Sequence, residues 1–593
     1  MATTLSNEKL YHSLMAGAKE VMKQKNTLNQ INVFPVADGD TGSNLASMMQ
    51  TIVNESKLDA STKATLESIA DAALVGARGN SGIIFAQYLN GFLIALSKGE
   101  NEISLEQFIA SVSEAVPYAY EAVNEPVEGT MITLMREWGE FVVKIKDNVK
   151  DFTDVLSRSH QYLKEQLEKT PEKLKVLKDN KVVDAGAKGF FHFIEGVMKF
   201  VKTGEMDDLY DDTFEPESNI PKNDGDWENE SYRYCTEALI TGEKLKAKDI
   251  KVAMHELGDS LVVAGNETKV RVHIHTNEPQ DVFYRLRDFG HIEFQKVDDM
   301  KKQYELVNQR KNDILLVTDS IADLPKSFID EHQVYQIPIN LMIEDSNYFD
   351  KLTITSERFY QFMDELETYP TSSQPSPKQM ENLFSYLSTY YKKIVVISVS
   401  AKMSGTFNVI KNAIKKIKEA DIRVIDSRQN SGAQGLLVMK AQELINEGKD
   451  IDTIEKTIET LRHKVKILVS VKTLKYMVRS GRVSKVTGVI GKVANLKPVI
   501  SIDETGEGII FSKGLSLASS NKTIKKHVEK IANEKGIDRY AIVHANALNR
   551  AESYTKTFKD IIGKEPLYTI DISTVVAMNA GIGTVAIAYL ENH

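Results

Sequence analysis

From residue 1 to about 203, apolar side chains recur at three-to-four spacing, in segments such as Leu66–Val75, Gly82–Leu96, Leu105–Val123 and Val155–Leu167. That period predicts amphipathic helices. Glycine-punctuated stretches separate them at Asp38–Asn44, Gly76–Gly82, Pro126–Thr130 and Asp184–Gly189. A helical domain keeps glycine-rich loops where something must approach the backbone closely. From 231 to 310 the pattern becomes alternating. Ser260–Ala264 and Lys269–His275 read as strands with helices between them, a small α+β domain. From 311 to 593 the short β-branched runs Ile314–Thr318, Ile394–Val399 and Arg423–Ile425 are each followed by a Ser/Gly/Asp turn and a helical pattern. Strand–helix alternation of this kind predicts an α/β domain on a largely parallel sheet.

Charge sharpens the domain boundaries. The net charge is −9, and it is local. Residues 205 to 230 hold eleven acids against the single base Lys222, so that window is −10 and the rest of the chain about +1. With Pro216 and Pro221 it reads as a solvated linker, which we bound at 204–230. No block is basic enough for a nucleic-acid-binding stripe. The single cysteine, Cys235, forbids an intrachain disulfide and fits a reducing compartment. Near the N-terminus Leu10, Leu14, Ala18 and Val21 recur at helical spacing, without the continuous apolar run of a signal peptide. Ile83–Leu96 and Val575–Leu590 are both too interrupted to span a membrane. The expectation is a cytoplasmic protein with no transmembrane segment.

Candidate chemistry begins at Asp38-Gly39-Asp40-Thr41-Gly42-Ser43-Asn44. Two carboxylates on one turn can share hard cations and leave open positions for phosphate oxygens. The hydroxyls and backbone N–H groups that follow, leading into an apolar helix at Leu45–Ile52, suit an anion. The second loop, Gly76-Ala77-Arg78-Gly79-Asn80-Ser81-Gly82, has three glycines that let the backbone hug a ligand, or it is a tight helix connection. No Gly-x-x-x-x-Gly-Lys-Ser/Thr run occurs, so this is not a P-loop protein. In the middle domain, His273 and His275 lie at i and i+2 on one strand and point the same way. Two readings stand: hydrogen-bonded histidines, or, with the Cys235 thiolate, three ligands of a tetrahedral zinc site with one open position. In the last domain, hydroxyl-rich segments around Ser320, Ser373 and Ser404 follow strand ends, where α/β sheets bind ligands. Arg482 is placed to pair with an anion there.

The motifs Asn32–Asn44, Gly76–Gly82, Pro126–Thr130 and Val183–Gly189 occur in an order that resembles the L subunit of dihydroxyacetone kinase and, more closely, the kinase subunit of bacterial fatty acid kinase. The resemblance implies a helical barrel (1–203) that binds ATP and two magnesium ions at one end. It implies Asp38 and Asp40 as metal ligands and catalytic residues, with Asn32 as a third ligand. Thr41, Ser43, Asn44, Gly79, Asn80 and Ser81 would contact phosphates, and Asp184 and Gly186 would lie in a loop closing over the nucleotide. The Tyr-Cys-Thr-Glu and His-x-His elements continue the resemblance and imply zinc on Cys235, His273 and His275. From 313 to 591 the chain resembles the DegV family. That implies a two-lobed fold with an apolar acyl tunnel and a carboxylate held near Ser373, Ser404 and Arg482. Asn579 stands where that family carries a head-group histidine, and is expected to contact substrate. His544 is expected to be structural.

Together these imply a fatty acid kinase, making acyl phosphate from ATP and a bound fatty acid, with kinase and acyl-carrier modules in one chain. Two alternatives are a dihydroxyacetone-type small-molecule kinase and a non-catalytic lipid-binding protein. The resemblance further implies a homodimer, a separate DegV-type fatty-acid-binding protein and a downstream acyltransferase as partners.

Overall fold

The computed structural model describes residues 3–34, 39–97, 102–205, 231–363, 366–480 and 496–592. The chain divides into two compact units, Met1–Tyr304 and Glu305–His593.

In the first unit, helices form wherever the three-to-four spacing occurs. Their caps are legible in the chain: Ser6, Ser61, Ser104, Asp151 and Asp184 each accept a hydrogen bond from a backbone N–H of the first turn. The expected helix Leu105–Val123 is two, Leu105–Glu114 and Val116–Ala122, because Pro117 starts a new helix. Phe85, Tyr88, Phe190 and Phe193 interlock edge-to-face in the core.

The first two of the four glycine-punctuated stretches depart from the loop expectation. Residues 41–44 are already the first turn of helix Thr41–Glu55. Between helices Thr62–Gly76 and Gly79–Leu96 only Ala77 and Arg78 are non-helical. The glycines serve these tight junctions. A Cβ on Gly42 would collide with the carbonyl oxygen of Lys25. Gly79 has a φ of 57°, and a Cβ there would collide with the Asn44 side chain.

A four-stranded antiparallel sheet completes this unit, ordered Asp259–Gly265, Lys269–Thr276, Tyr234–Thr241, His291–Asp299. Val262 and Ala264 are buried in the same apolar cluster as the helices. Gly265 N donates to Gln87 Oε1 (3.0 Å), and Lys251 Nζ donates to the carbonyls of Glu121 and Val123 (both 2.7 Å). Helical and α+β parts, expected as separate domains, are thus packed directly against one another within one compact unit.

The second unit has two main sheets. Asp421–Asp426, Lys393–Ser398, Ile314–Asp319 and Tyr335–Ile337 form a parallel four-stranded sheet, as strand–helix alternation predicts. The other has six strands: Gly508–Ser512, Val499–Ile502, Val465–Ser470, Val585–Glu591, Ile537–His544 and Thr569–Asp571. All of its pairings are antiparallel except the last, so the expectation of a largely parallel sheet holds for one lobe only. One reason is local. The Asp503–Glu507 connection is too short for a parallel crossover, and Asp503 Oδ1 closes it by accepting from Thr505 N and Glu507 N. Helix Ser431–Asn446 is buried along most of its length and packs on strands of both sheets.

Candidate functional site

In the first unit, two helix N-termini meet. Gly79 and Gly82 both pack on Asn44, so the first turns of Thr41–Glu55 and Gly79–Leu96 are side by side. Their positive dipole ends favour an anion, although the N–H groups of Thr41, Ser43 and Gly79 are already bonded to Asn32, Asn29 and Glu237. Thr41, Ser43, Asn44, Gly79, Asn80 and Ser81, expected to contact phosphates, lie on these two first turns. Oδ1 of Asn80 is buried there with no partner among the described residues.

Asp40 occupies the N-cap position of Thr41–Glu55, yet its carboxylate makes no capping bond and remains available for a cation. Asp38 lies outside the described residues. Capping is done instead by two asparagines. Asn32 Oδ1 accepts from Thr41 N (2.9 Å), and Asn29 Oδ1 accepts from Ser43 N (3.0 Å) while its Nδ2 donates to Ser43 Oγ (3.0 Å). Asn32, expected as a metal ligand, holds the helix start. Asn29 was missed; its signal is a polar residue in the short helix Lys25–Gln30 that packs beneath Gly42.

Asp184 and Gly186 are buried packing positions and not an open loop. Asp184 accepts from Ala187 N (2.7 Å), and its own N–H donates to Thr170 Oγ1 (3.1 Å). Burial pushes its carboxyl up to about 6, opposed by hydrogen bonds from Ala187 and Met131 N–H. Asp184 thereby joins the starts of helices Met131–Ile145 and Ala185–Thr203.

Cys235, His273 and His275 do converge. Cys235 pairs with His275 across the ladder, and the sulfur and ring nitrogens lie within 4.8 Å of one another. Cys235 Sγ is 3.9 Å from His273 Nδ1. Burial, with His273 beside it, pushes His275 down to about 3, so its imidazole is neutral, the form that ligates metal. Burial pushes the Cys235 thiol well up; Lys296 opposes this, and the carboxylates of Glu237, Asp298 and Asp40 add to it. A divalent cation held by these residues would favour the thiolate instead. Nε2 of His273 is buried without a partner. This donor set fits zinc with one open position.

Sequence reasoning missed three residues here. Gly79 N donates to Glu237 Oε1 (2.7 Å). The fully buried Arg271 donates through Nε to Ala77 O (2.9 Å) and through Nη2 to Ala77 O (2.6 Å) and Val75 O (3.2 Å). Phe294 receives the Arg78 and Arg271 guanidiniums at 4.2 and 4.6 Å from its ring centre. The Glu237 carboxyl is penalised by burial, yet the His273 hydrogen bond, Lys296 and Gly79 N–H outweigh this and hold it at about 2.

In the second unit a cavity of about 400 Å³ opens beside the six-stranded sheet, within the size range of small-molecule sites. Ile467 and Val469, Ile500 and Ile502, Val543 and Ala586 line it, alternate residues of neighbouring strands sharing one sheet face. Ser373, Ser404 and Asn579, expected to contact substrate, all reach its wall. Gln374 packs on Gly405, where even a Cβ would collide, and so draws the Ser373 and Ser404 segments together. Asp319 ties the strand ends: Oδ2 accepts from Val399 N (2.7 Å) and Ser398 Oγ (3.1 Å). Asn579 Nδ2 donates to Val575 O (2.6 Å), and its Oδ1 is buried with no partner among the described residues. His544, expected to be structural, lines the cavity, with Nδ1 3.5 Å from Asp571 Oδ2. Arg482 lies outside the described residues.

A helical unit with paired helix N-termini, joined to a metal-type sheet and followed by an α/β domain with an apolar cavity, defines the class. Three family models match in succession: a DAK2 domain over 35–199, a fatty acid kinase-like middle domain over 231–307, and the uncharacterised DegV family over 313–592. The chain thus carries a DAK2 domain, a middle domain of the fatty acid kinase type and a DegV-family domain. An uncharacterized protein of Staphylococcus epidermidis is 34% identical over 323 residues, 52% of this chain and 57% of that one. One from Staphylococcus aureus strain USA300 is 31% identical over 316 residues, 51% and 58%. The chain spans little more than half the length of these relatives. Among solved structures, DegV, a fatty acid binding protein from Bacillus subtilis, is 25% identical with a TM-score of 0.45, covering 48% of this chain and all of that one. A fatty acid binding DegV family protein from Streptococcus agalactiae is 26% identical with a TM-score of 0.44, covering 47% and 99%. No described helix is long and apolar enough to cross a membrane.

Proposed function

We propose that this chain is an ATP-dependent fatty acid kinase that transfers the γ-phosphoryl group of ATP to a fatty acid carboxylate, giving acyl phosphate and ADP. The observation that carries the reading is Asp40. Its carboxylate, unused in capping, stands where two helix N-termini meet, in a chain that also carries a fatty-acid-kinase-type middle domain. Asp40, with Asp38, would hold magnesium, which would supply charge neutralisation for phosphoryl transfer. The two helix dipoles and the side chains of Thr41, Ser43, Asn44, Asn80 and Ser81 would orient the phosphates, with Gly79 allowing close approach of the backbone. Asn32, Asn29 and Asp184 keep the helix starts in register. No general base is required, since a carboxylate of pKa about 4–5 is ionised at neutral pH.

The cavity of the second unit carries the acyl chain along Ile467, Val469, Ile500, Ile502, Val543 and Ala586. Ser373, Ser404 and Asn579, on the same cavity wall, would hold the head group. The zinc-type donor set holds two strands of the middle sheet together. Hydroxylamine trapping tests the proposal: the full chain with MgATP and oleate yields oleoyl hydroxamate, and dihydroxyacetone in place of oleate yields no phosphorylated product. Phosphorylation of dihydroxyacetone, with no hydroxamate from oleate even when a DegV-type protein is added, would refute it.

A further inference from the structure

One face of the middle sheet carries a continuous polar row. Cys235 and Glu237 alternate on one strand; Arg271, His273 and His275 alternate on its neighbour. Across the ladder Cys235 faces His275, Glu237 faces His273 and Leu239 faces Arg271. The zinc-type donors lie at one end of this face. Its other end grips the junction between helices Thr62–Gly76 and Gly79–Leu96.

The grip is double. Arg271 takes the carbonyls of Ala77 and Val75, which end the first helix. Glu237 takes the N–H of Gly79, which begins the second. The same Oε1 atom lies 3.6 Å from Nδ1 of His273. Glu237 is almost wholly buried, and its Oε2 has no partner. Carboxylates beside a ligating histidine fix its ring orientation and tune the metal. This one is also bonded to the turn that presents Gly79, Asn80 and Ser81.

We propose that Glu237 is a positioning residue that couples zinc occupancy on Cys235, His273 and His275 to nucleotide affinity at the Gly79–Ser81 turn. The inference rests on the nucleotide reading of that turn. Moving the His273 ring moves Glu237, and Glu237 cannot shift without releasing or dragging Gly79 N. Gly79, at positive φ and packed on Asn44, has little room to yield. Linkage makes the effect reciprocal: zinc tightens MgATP, and MgATP tightens zinc, by the same factor.

The test measures the affinity of the full chain for a non-hydrolysable ATP analogue with magnesium, by calorimetry, with zinc loaded and with zinc removed by a chelator. Zinc content and Tm are recorded for every sample. In the wild type, zinc removal weakens the analogue about tenfold, within the usual range of coupling between sites. Glu237→Gln keeps an acceptor for Gly79 N–H, stays folded and binds zinc, yet zinc removal changes its affinity less than about twofold. Cys235→Ser, which loses zinc but leaves Glu237 in place, matches the zinc-free wild type. Equal factors in wild type and Glu237→Gln, or no zinc effect on the folded wild type, overturn the proposal and leave the kinase reading intact. A wild type that binds zinc but no MgATP analogue refutes the kinase reading and this inference with it.

Discussion

Asp184 shows how one buried carboxyl ties stability to pH. Its carboxyl is held at about 6 in the fold, above its ordinary value of 3.8, chiefly by burial. The unfolded chain ionises it more easily, so the folded unit loses stability as pH rises from about 4 to about 6, and the loss is complete above that. Two units of pKa correspond to about 3 kcal/mol. Asp184→Asn removes the effect. Thermal unfolding at a series of pH values is expected to move in the variant's favour, relative to wild type, across that window and to hold steady above it. A difference that does not vary with pH would contradict this account. Asp40 is the opposite case. Its carboxylate makes no capping bond, so Asp40→Ala leaves Tm nearly unchanged while lowering acyl phosphate formation at least about a thousandfold, a few kcal/mol of charge stabilisation. Equal activity in wild type and Asp40→Ala would remove Asp40 from the site.

Elements explain what the sequence pattern conveys and what it hides. Helix period, capping residues and β-branched runs are local signals, and they place most helices and strands. The glycine stretches mislead because Thr, Gly, Ser and Asn are both loop residues and helix starters. Packing makes the choice. Lys25–Gln30 lies so close to Thr41–Glu55 that only glycine fits at 42. Gly42→Ala therefore costs about 1–3 kcal/mol in the first unit, as overpacking does, read as a lower urea midpoint at unchanged slope. The zinc-type triad is legible because two of its members sit on one strand. Glu237 and Arg271 are not. They act on residues 158 and 194 positions away, and no local pattern marks such partners. The second unit's antiparallel sheet is hidden for a related reason: β-branched runs look alike whether the next strand returns by a hairpin or by a helix.

At the scale of the molecule, two units carry two halves of one proposed chemistry. The cavity of the second unit is lined by small and β-branched residues of a sheet face, and Ala586 sits at its centre strand. Ala586→Phe fills part of the space. Native mass spectrometry should show fatty acid retained by wild type and lost from the variant, with the affinity of the chain for MgATP within about twofold of wild type. A variant that keeps its lipid would move the acyl site elsewhere. The central claim, phosphoryl transfer to a carboxylate, is tested most directly by phosphorus NMR of the full chain with MgATP and oleate. The account predicts that the γ-phosphate signal of ATP is replaced by that of oleoyl phosphate alongside ADP, and that Asp40→Ala abolishes the change. Unchanged ATP, or ADP with inorganic phosphate and no acyl phosphate when hydrolysis of the product is prevented, would contradict it.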